Sequence, residues 1–171
     1  ALMAPFVFAG PQFDDRLESL FRRIEASDLH EEKGVVGSVL WDESLMDSGP
    51  LRRSIDRAID MELIEAMALG HEEGRRCFVG STNLDVGDFV VWDLGAIATR
   101  RTQEAADLIK RVLAASAAIP VVYPPVRFHH DDRDELHVDG AVMRPLFIPQ
   151  SVFDGYVSAE RAGISWDDVD V

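Results

Sequence analysis

The sequence contains a single cysteine, Cys77, so no disulfide bond can form within the chain. Cys77 stands in an apolar run, which predicts a buried and chemically inert thiol. No apolar run reaches the roughly 20 residues that a membrane-spanning helix needs. The apolar residues 1–8 are too few for this purpose, and they lack the basic flank of a signal peptide. A disulfide-stabilised scaffold and a membrane-spanning helix within the printed sequence are therefore excluded.

Basic residues are also scarce, with 17 lysines and arginines against 31 aspartates and glutamates and a net charge of −14. Affinity for nucleic acids comes from clustered lysine and arginine, so we expect no nucleic-acid partner. The same balance argues against broad electrostatic docking on anionic lipid. Arginine nevertheless occurs in four adjacent pairs, which the sequence favours as solvated helix ends and faces: Arg22-Arg23, Arg52-Arg53, Arg75-Arg76 and Arg100-Arg101.

Hydrophobic residues make up 47% of the chain, which suits one soluble globular domain with a sizeable core. The spacing of these residues predicts helices at 1–9, 14–24, 50–59, 60–70 and 102–119. Short apolar runs predict strands at 76–84, 88–92, 121–123, 126–128 and 136–138, with a tight turn at 86–88. We expect a long surface loop at 26–49 and an incoming strand at 165–171. This mixture indicates an α/β layered domain.

One aspartate, Asp139, falls where a predicted strand meets Gly140. Such a position fixes the carboxylate on a rigid element and leaves it exposed at the edge of the sheet. A carboxylate held in this way can serve as a general base for a nucleophile within hydrogen-bonding reach. Gly140 is expected to permit a backbone conformation that a Cβ atom would oppose. A turn aspartate that only makes local hydrogen bonds is the alternative interpretation of the dipeptide.

A stretch rich in histidine and aspartate offers a weaker alternative, a metal site. Imidazole and carboxylate groups together suit zinc and other transition metals. Neighbouring side chains on a strand point to opposite faces, however, and the acids lie in a polar tip. We therefore favour a solvated loop and expect no metal and no cofactor at these residues: His129, His130, Asp131, Asp132, His137 and Asp139.

Four short segments follow one another along residues 1–150. They are Ala1-Leu2-Met3-Ala4-Pro5-Phe6, the stretch from Gly70-His71 through Arg75-Arg76 to Thr82-Asn83-Leu84-Asp85, then Val91-Trp92-Asp93-Leu94-Gly95-Ala96-Ile97-Ala98, and finally Asp139-Gly140-Ala141. Taken together, this ordered set resembles the patatin-like phospholipase and acyl hydrolase family. The family usually carries a second glycine at the position of Ala141.

The resemblance implies that Asp139 is the general base of a serine–aspartate dyad and acts directly on the serine. In the family that serine sits in a Gly-x-Ser-x-Gly elbow, a pentapeptide that these 171 residues lack. Residues 1–6 resemble the segment just after the elbow, so the resemblance implies a chain that starts immediately beyond the nucleophile. Ser116 lies on a predicted helix without flanking glycines, and Ser81 lies in mid-strand, so neither is a convincing elbow.

The resemblance also implies roles for residues around Asp139. Gly140 and Ala141 would form the turn that supports the catalytic aspartate. Asn83 and Asp85 belong to a strand that should neighbour the catalytic one, which makes them candidates for lining the site. The alternative for these two residues is that they are strand-end side chains that tie down loops.

The fold that the resemblance implies is a three-layer α/β/α sandwich with a mainly parallel sheet. It would be incomplete at both ends, with residues 1–171 forming a single domain fragment. The implied activity is lipid degradation by an esterase or phospholipase that cleaves carboxylic ester bonds, and this chain alone should be inactive. The expected partners are a lipid or ester substrate, transient contact with a membrane surface, and an N-terminal segment of the same protein. The alternative is a catalytically silent α/β module that binds lipid or protein.

Overall fold

The computed structural model describes residues 1–23, 31–32, 46–47, 49–130 and 133–145. The strand predicted at 165–171 and most of the loop predicted at 26–49 lie outside these residues. Within that loop, β1 (Glu31–Glu32) pairs in antiparallel orientation with β2 (Met46–Asp47).

The described residues contain six α-helices and two short 3₁₀ turns. Three of the described helices start where a side chain accepts a hydrogen bond from an otherwise unpaired first-turn amide. Asp60 accepts from the Leu63 amide at 3.0 Å, and Thr102 accepts from the Ala105 amide at 3.2 Å. No helix among the described residues is long and apolar enough to cross a membrane. The helices are α1 (Ala4–Ala9), α2 (Asp14–Arg23), α3 (Gly49–Ala58), α4 (Met61–Glu72), α5 (Leu94–Ala98) and α6 (Gln103–Ser116), and the 3₁₀ turns are Pro11–Phe13 and Gly140–Val142.

The main sheet has four strands in the order β4-β3-β6-β5, and every neighbouring pair is antiparallel. β3 lies inside the sheet and pairs with β4 on one side and β6 on the other. Its register places Ser81 opposite Asp139 and Asn83 opposite His137. The strands are β3 (Phe78–Asn83), β4 (Asp88–Asp93), β5 (Val126–His130) and β6 (Arg133–Asp139).

The expectation of a mainly parallel sheet is wrong for these residues. Only a turn at residues 84–87 joins β3 to β4, and a parallel pair needs a crossover of a dozen or more residues. The same limit applies to β5 and β6, which are separated by two residues of chain. The described residues therefore form an α/β domain with an antiparallel sheet, and they do not show the three-layer sandwich that the resemblance implied.

The strand predicted at 121–123 is also wrong. These residues form turns after α6, and Val121 has a φ of 72°, a left-handed conformation that β-branched residues rarely adopt. The polar tip predicted at 129–135 is shorter than expected, because β5 continues to His130 and β6 begins at Arg133.

The hydrophobic core lies between the sheet and the helices. Phe6 and Phe8 of α1 are buried, and Leu2 packs against the same core. Each such side chain contributes roughly 1.5–3 kcal/mol when fully buried, so α1 is an integral part of the domain. The burial predicted for Cys77 is confirmed. The largest fully buried apolar side chains come from α4, α5, α6 and β6: Leu63, Ile64, Met67, Leu94, Ile109, Val112, Leu113 and Val138.

Candidate active site

Asp139 is the last residue of β6 and caps the 3₁₀ turn that comes after it. One carboxylate oxygen, Oδ1, accepts a hydrogen bond from the Ala141 amide at 2.8 Å. Within the described part of the chain, the other oxygen has no hydrogen-bond partner. The side chain is half-buried. The structure therefore presents a fixed carboxylate with one oxygen engaged and one available.

The backbone on both sides of Asp139 is held by neighbouring elements. Its amide donates to the carbonyl of Ala118, just beyond the end of α6, at 3.0 Å. Its carbonyl accepts from the hydroxyl of Thr82 on β3 at 3.1 Å. Hydrogen bonds to α6 on one side and β3 on the other leave little freedom for this strand end, so the carboxylate direction is set by the fold.

Gly140 is required by space and not by an unusual backbone angle. A Cβ atom there would lie 2.8 Å from the carbonyl carbon and oxygen of Gly80 and 3.0 Å from Cε2 of Phe89. The φ of Gly140 is not in the left-handed region, which corrects the expectation from sequence. Ala141 likewise has an ordinary φ, so alanine fits where the family usually has glycine.

Asn83 and Asp85 make hydrogen bonds within the β3–β4 turn and to β6. Oδ1 of Asn83 accepts from the Asp85 amide at 2.9 Å, and its Nδ2 donates to Glu135 at 2.9 Å. Asp85 accepts from the Leu136 amide at 2.7 Å. These are contacts of side chains that hold a turn against the next strand. A role for either residue in lining the site stays a prediction.

A buried polar network lies beside Asp139 and was missed from the sequence. Oγ of Ser81 lies 2.9 Å from Nδ1 of His137 and accepts a hydrogen bond from the indole of Trp92 at 2.9 Å. Nε2 of His137 lies 3.4 Å from Glu135. Strand alternation offered the signal, because Ser81 shares a sheet face with its cross-strand partner Asp139 and with His137, two residues before Asp139.

The serine, histidine and glutamate of this network are residue types found in catalytic triads. The serine and histidine side chains, however, are not exposed as those of a triad must be. Ser81 is 0% exposed and His137 is 1% exposed. The indole of Trp92 donates to the Ser81 hydroxyl, and a second hydrogen bond joins that hydroxyl to Nδ1 of His137. Phe128 packs against the imidazole with ring centroids 4.6 Å apart. Ser81 is therefore enclosed by its neighbours among the described residues, and this burial favours a role of the network in supporting the sheet.

The histidine-rich stretch is divided between the two faces of the sheet. His129 is exposed and forms an ion pair with Asp134, whereas His137 points inward to Ser81. The hydrogen bond from Arg127 to Asp134, 2.6 Å long, lowers the pKa of that carboxyl. Asp131 and Asp132 lie outside the described residues. Among the described ones, no three histidine, cysteine, aspartate or glutamate side chains are grouped as metal ligands.

Residues of two of the sequence segments meet at the C-terminal end of α1. The guanidinium of Arg75 donates to the carbonyl of Phe8 and lies 5.5 Å from the centre of its ring. A Cβ atom at Gly70 would lie 2.8 Å from that guanidinium, and one at Gly95 would lie 3.0 Å from the Phe8 ring. The glycines therefore make room for a contact that anchors α1, and Arg75 is more than the solvated residue that was expected.

Leu2, just before α1, and Asp139 each have a neighbour in or just after the C-terminal part of α6. Leu2 lines a small apolar cavity together with Leu113 of α6. The Ala118 carbonyl that receives the Asp139 amide lies five residues further along the chain. This arrangement brings the first and the last of the four sequence segments to the same end of one helix.

The antiparallel α/β domain and the half-buried strand-end carboxylate are compatible with an acyl hydrolase. The family model described as patatin-like phospholipase matches residues 1–150. The chain therefore belongs to the patatin-like phospholipase family, and the resemblance seen in the four segments is confirmed. Membership of this family suggests lipid acyl hydrolase activity. No curated protein matches the chain, and no solved structure does.

Proposed function

We propose that the protein is a lipid acyl hydrolase that cleaves carboxylic ester bonds with a serine–aspartate dyad. Asp139 is the general base. The serine belongs to a Gly-x-Ser-x-Gly segment of the same protein that is not among these 171 residues, so this stretch alone does not turn over substrate. The substrate is a lipid ester, met at a membrane surface by transient contact.

In this mechanism the serine oxygen attacks the ester carbonyl carbon and its proton passes to Asp139. The tetrahedral intermediate then collapses, the alcohol leaves with that proton, and an acyl-serine remains. Water attacks the acyl-serine and gives its proton to Asp139. The acid is released and the proton returns to the serine. No metal or organic cofactor takes part in these steps.

The observation that carries the proposal is that the two carboxylate oxygens of Asp139 differ in their hydrogen bonding. The Ala141 amide fixes Oδ1, and the second oxygen has no partner in the described residues. A base that acts directly on a nucleophile needs one free oxygen in a fixed direction. The position of α1 adds support, because the residues that resemble those after the elbow begin near the same end of α6.

The test uses the protein expressed from its complete reading frame and compares Asp139→Asn with Asp88→Asn. Both changes replace a carboxylate by an amide, but Asp88 is exposed at the start of β4. Hydrolysis of a short-chain ester should fall by about 10²–10⁴-fold in Asp139→Asn and stay at the wild-type level in Asp88→Asn. Melting temperatures should be nearly unchanged in both variants.

A third variant, His137→Ala, separates the dyad from a histidine-dependent mechanism. Loss of turnover in His137→Ala with full turnover in Asp139→Asn would disprove the dyad. Wild-type protein that binds lipid but shows no hydrolysis would instead favour the catalytically silent module. Because His137 is buried, lower activity of the His137→Ala variant is evidence for a catalytic histidine only if the melting temperature of that variant is unchanged.

A further inference from the structure

A groove of about 210 Å³ runs between α3 and α6 and does not include Asp139. Its charged lining consists of Arg52, Asp56, Asp107, Lys110 and Arg111. At roughly 30 Å³ for each water molecule, this volume holds about seven waters. It is therefore large enough for a small hydrated ion.

The cations of the groove outnumber its acids. Lys110 forms ion pairs with both acids of the groove, and its Nζ lies 3.8 Å from Asp56 and 3.9 Å from Asp107. Arg52 and Arg111 form no ion pair with any carboxylate in the described part of the chain. The lining thus carries a net positive charge although the whole chain carries −14.

Arg111 is held in position by the sheet. Its guanidinium carbon lies 5.9 Å from the centre of the Phe128 ring, within the range of a cation–π contact. Such a contact does not use up the hydrogen-bonding capacity of the guanidinium N–H groups. Those N–H groups form a planar fork that matches two oxygens of a phosphate or carboxylate. Because Phe128 restricts Arg111 before any ligand arrives, less entropy is lost on binding.

The neighbouring apolar cavity limits what the groove can hold. Ile55 lines both the groove and the apolar cavity. The apolar cavity, which Leu2 and Leu20 also line, has a volume of about 10 Å³. At the same roughly 30 Å³ for each water molecule, this is less than one water, so an acyl chain does not fit there without displacement of side chains. The groove is therefore suited to the oxygens of an anionic head group.

We propose that Arg52, Lys110 and Arg111 form a binding site for a phosphate-class oxyanion, supplied by a lipid head group or by free phosphate. The arginines bind the oxygens directly, and Lys110 supplies positive charge while it keeps Asp56 and Asp107 paired. The site does not depend on the proposed hydrolysis, because Asp139 does not line the groove.

The test measures binding of inorganic phosphate by titration calorimetry to the protein from its complete reading frame, at constant ionic strength. Arg111→Gln and Arg52→Gln remove one fork each, and each should weaken binding roughly tenfold, as expected for a charge-assisted hydrogen bond. Arg57→Gln is the matched control, since Arg57 is exposed on α3 and does not line the groove. Asp139→Asn should bind phosphate as the wild type does, which separates this site from the proposed active site.

Hexyl phosphate distinguishes the two sources of the anion. Tighter binding of hexyl phosphate than of inorganic phosphate supports a lipid head group, and equal binding supports free phosphate. The site is disproved if wild type shows no saturable binding, or if Arg57→Gln weakens binding as much as Arg111→Gln. Unchanged binding in both groove variants, with unchanged melting temperatures, also disproves it.

Discussion

Replacing Gly140 with alanine should destabilise the domain by steric overlap beside Asp139. The added Cβ atom would lie 2.8 Å from the carbonyl of Gly80, a distance that real Cβ atoms essentially never show. Gly80 belongs to β3, which is paired on both sides and cannot retreat. The turn after β6 must therefore move, and with it the Ala141 amide that holds the Asp139 carboxylate.

The expected cost is about 1–3 kcal/mol, which is typical of an overpacked site. For a domain of this size, each kcal/mol corresponds to roughly 2–4 °C in melting temperature. We therefore expect a fall of about 2–12 °C. The rate of ester hydrolysis should fall by more than the loss of folded protein explains, because the displaced turn orients the proposed base.

Gly87 provides a matched control, because a substitution there is costly through the backbone conformation and not through steric overlap. Its φ is +69°, and a Cβ atom there meets nothing within 4 Å, so the cost of Gly87→Ala is conformational. Asparagine tolerates this conformation better than alanine. Gly87→Asn should therefore be milder than Gly87→Ala, whereas Gly140→Asn should be worse than Gly140→Ala because it is larger. Urea denaturation of the four variants gives the order, and the steric argument fails if the two positions show the same order.

Two further predictions concern buried groups. Ser81→Ala removes the hydroxyl that pairs Trp92 with His137, and the free energy of unfolding in urea should fall by about 1–3 kcal/mol; a loss below about 0.5 kcal/mol would contradict the buried network. Burial, with the charge of Asp93 nearby, raises the pKa of Cys77 to about 12. An aromatic disulfide reagent at pH 8 should therefore label Cys77 only after denaturation, and rapid labelling of folded protein would show that the thiol is accessible.

The sequence predicted best those features that depend on neighbours along the chain. The cap at Thr102, the helix that begins after Asp60, and the turn near Gly87 all arise from local side-chain chemistry, and the structure has each of them. The location of Asp139 at a strand end belongs to the same group. Each of these features needs only a few consecutive residues, so no knowledge of the tertiary fold was required.

The features that were missed depend on residues far apart in the chain. The direction of β6 relative to β3 depends on the path that the chain takes from α6 back to the sheet. No short sequence pattern predicts that path. The contact between Ser81 and His137 results from that register. Gly140 was correctly selected, but the close approach to Gly80 that requires it appears only when the two strands pair. The family resemblance suggested a parallel sheet, whereas the tight turn near Gly87 already favoured an antiparallel pair.

The pairing of Ser81 with Asp139 has a consequence for the order of folding. The β3–β4 hairpin closes a turn of four residues, whereas the bond between β3 and β6 closes a loop of more than fifty. The larger loop costs about 2 kcal/mol more chain entropy. The hairpin can thus form early, and β6 joins only once α6 has brought the chain back. On this argument the carboxylate at the end of β6 reaches its place beside Ser81 only after the β3–β4 hairpin has formed.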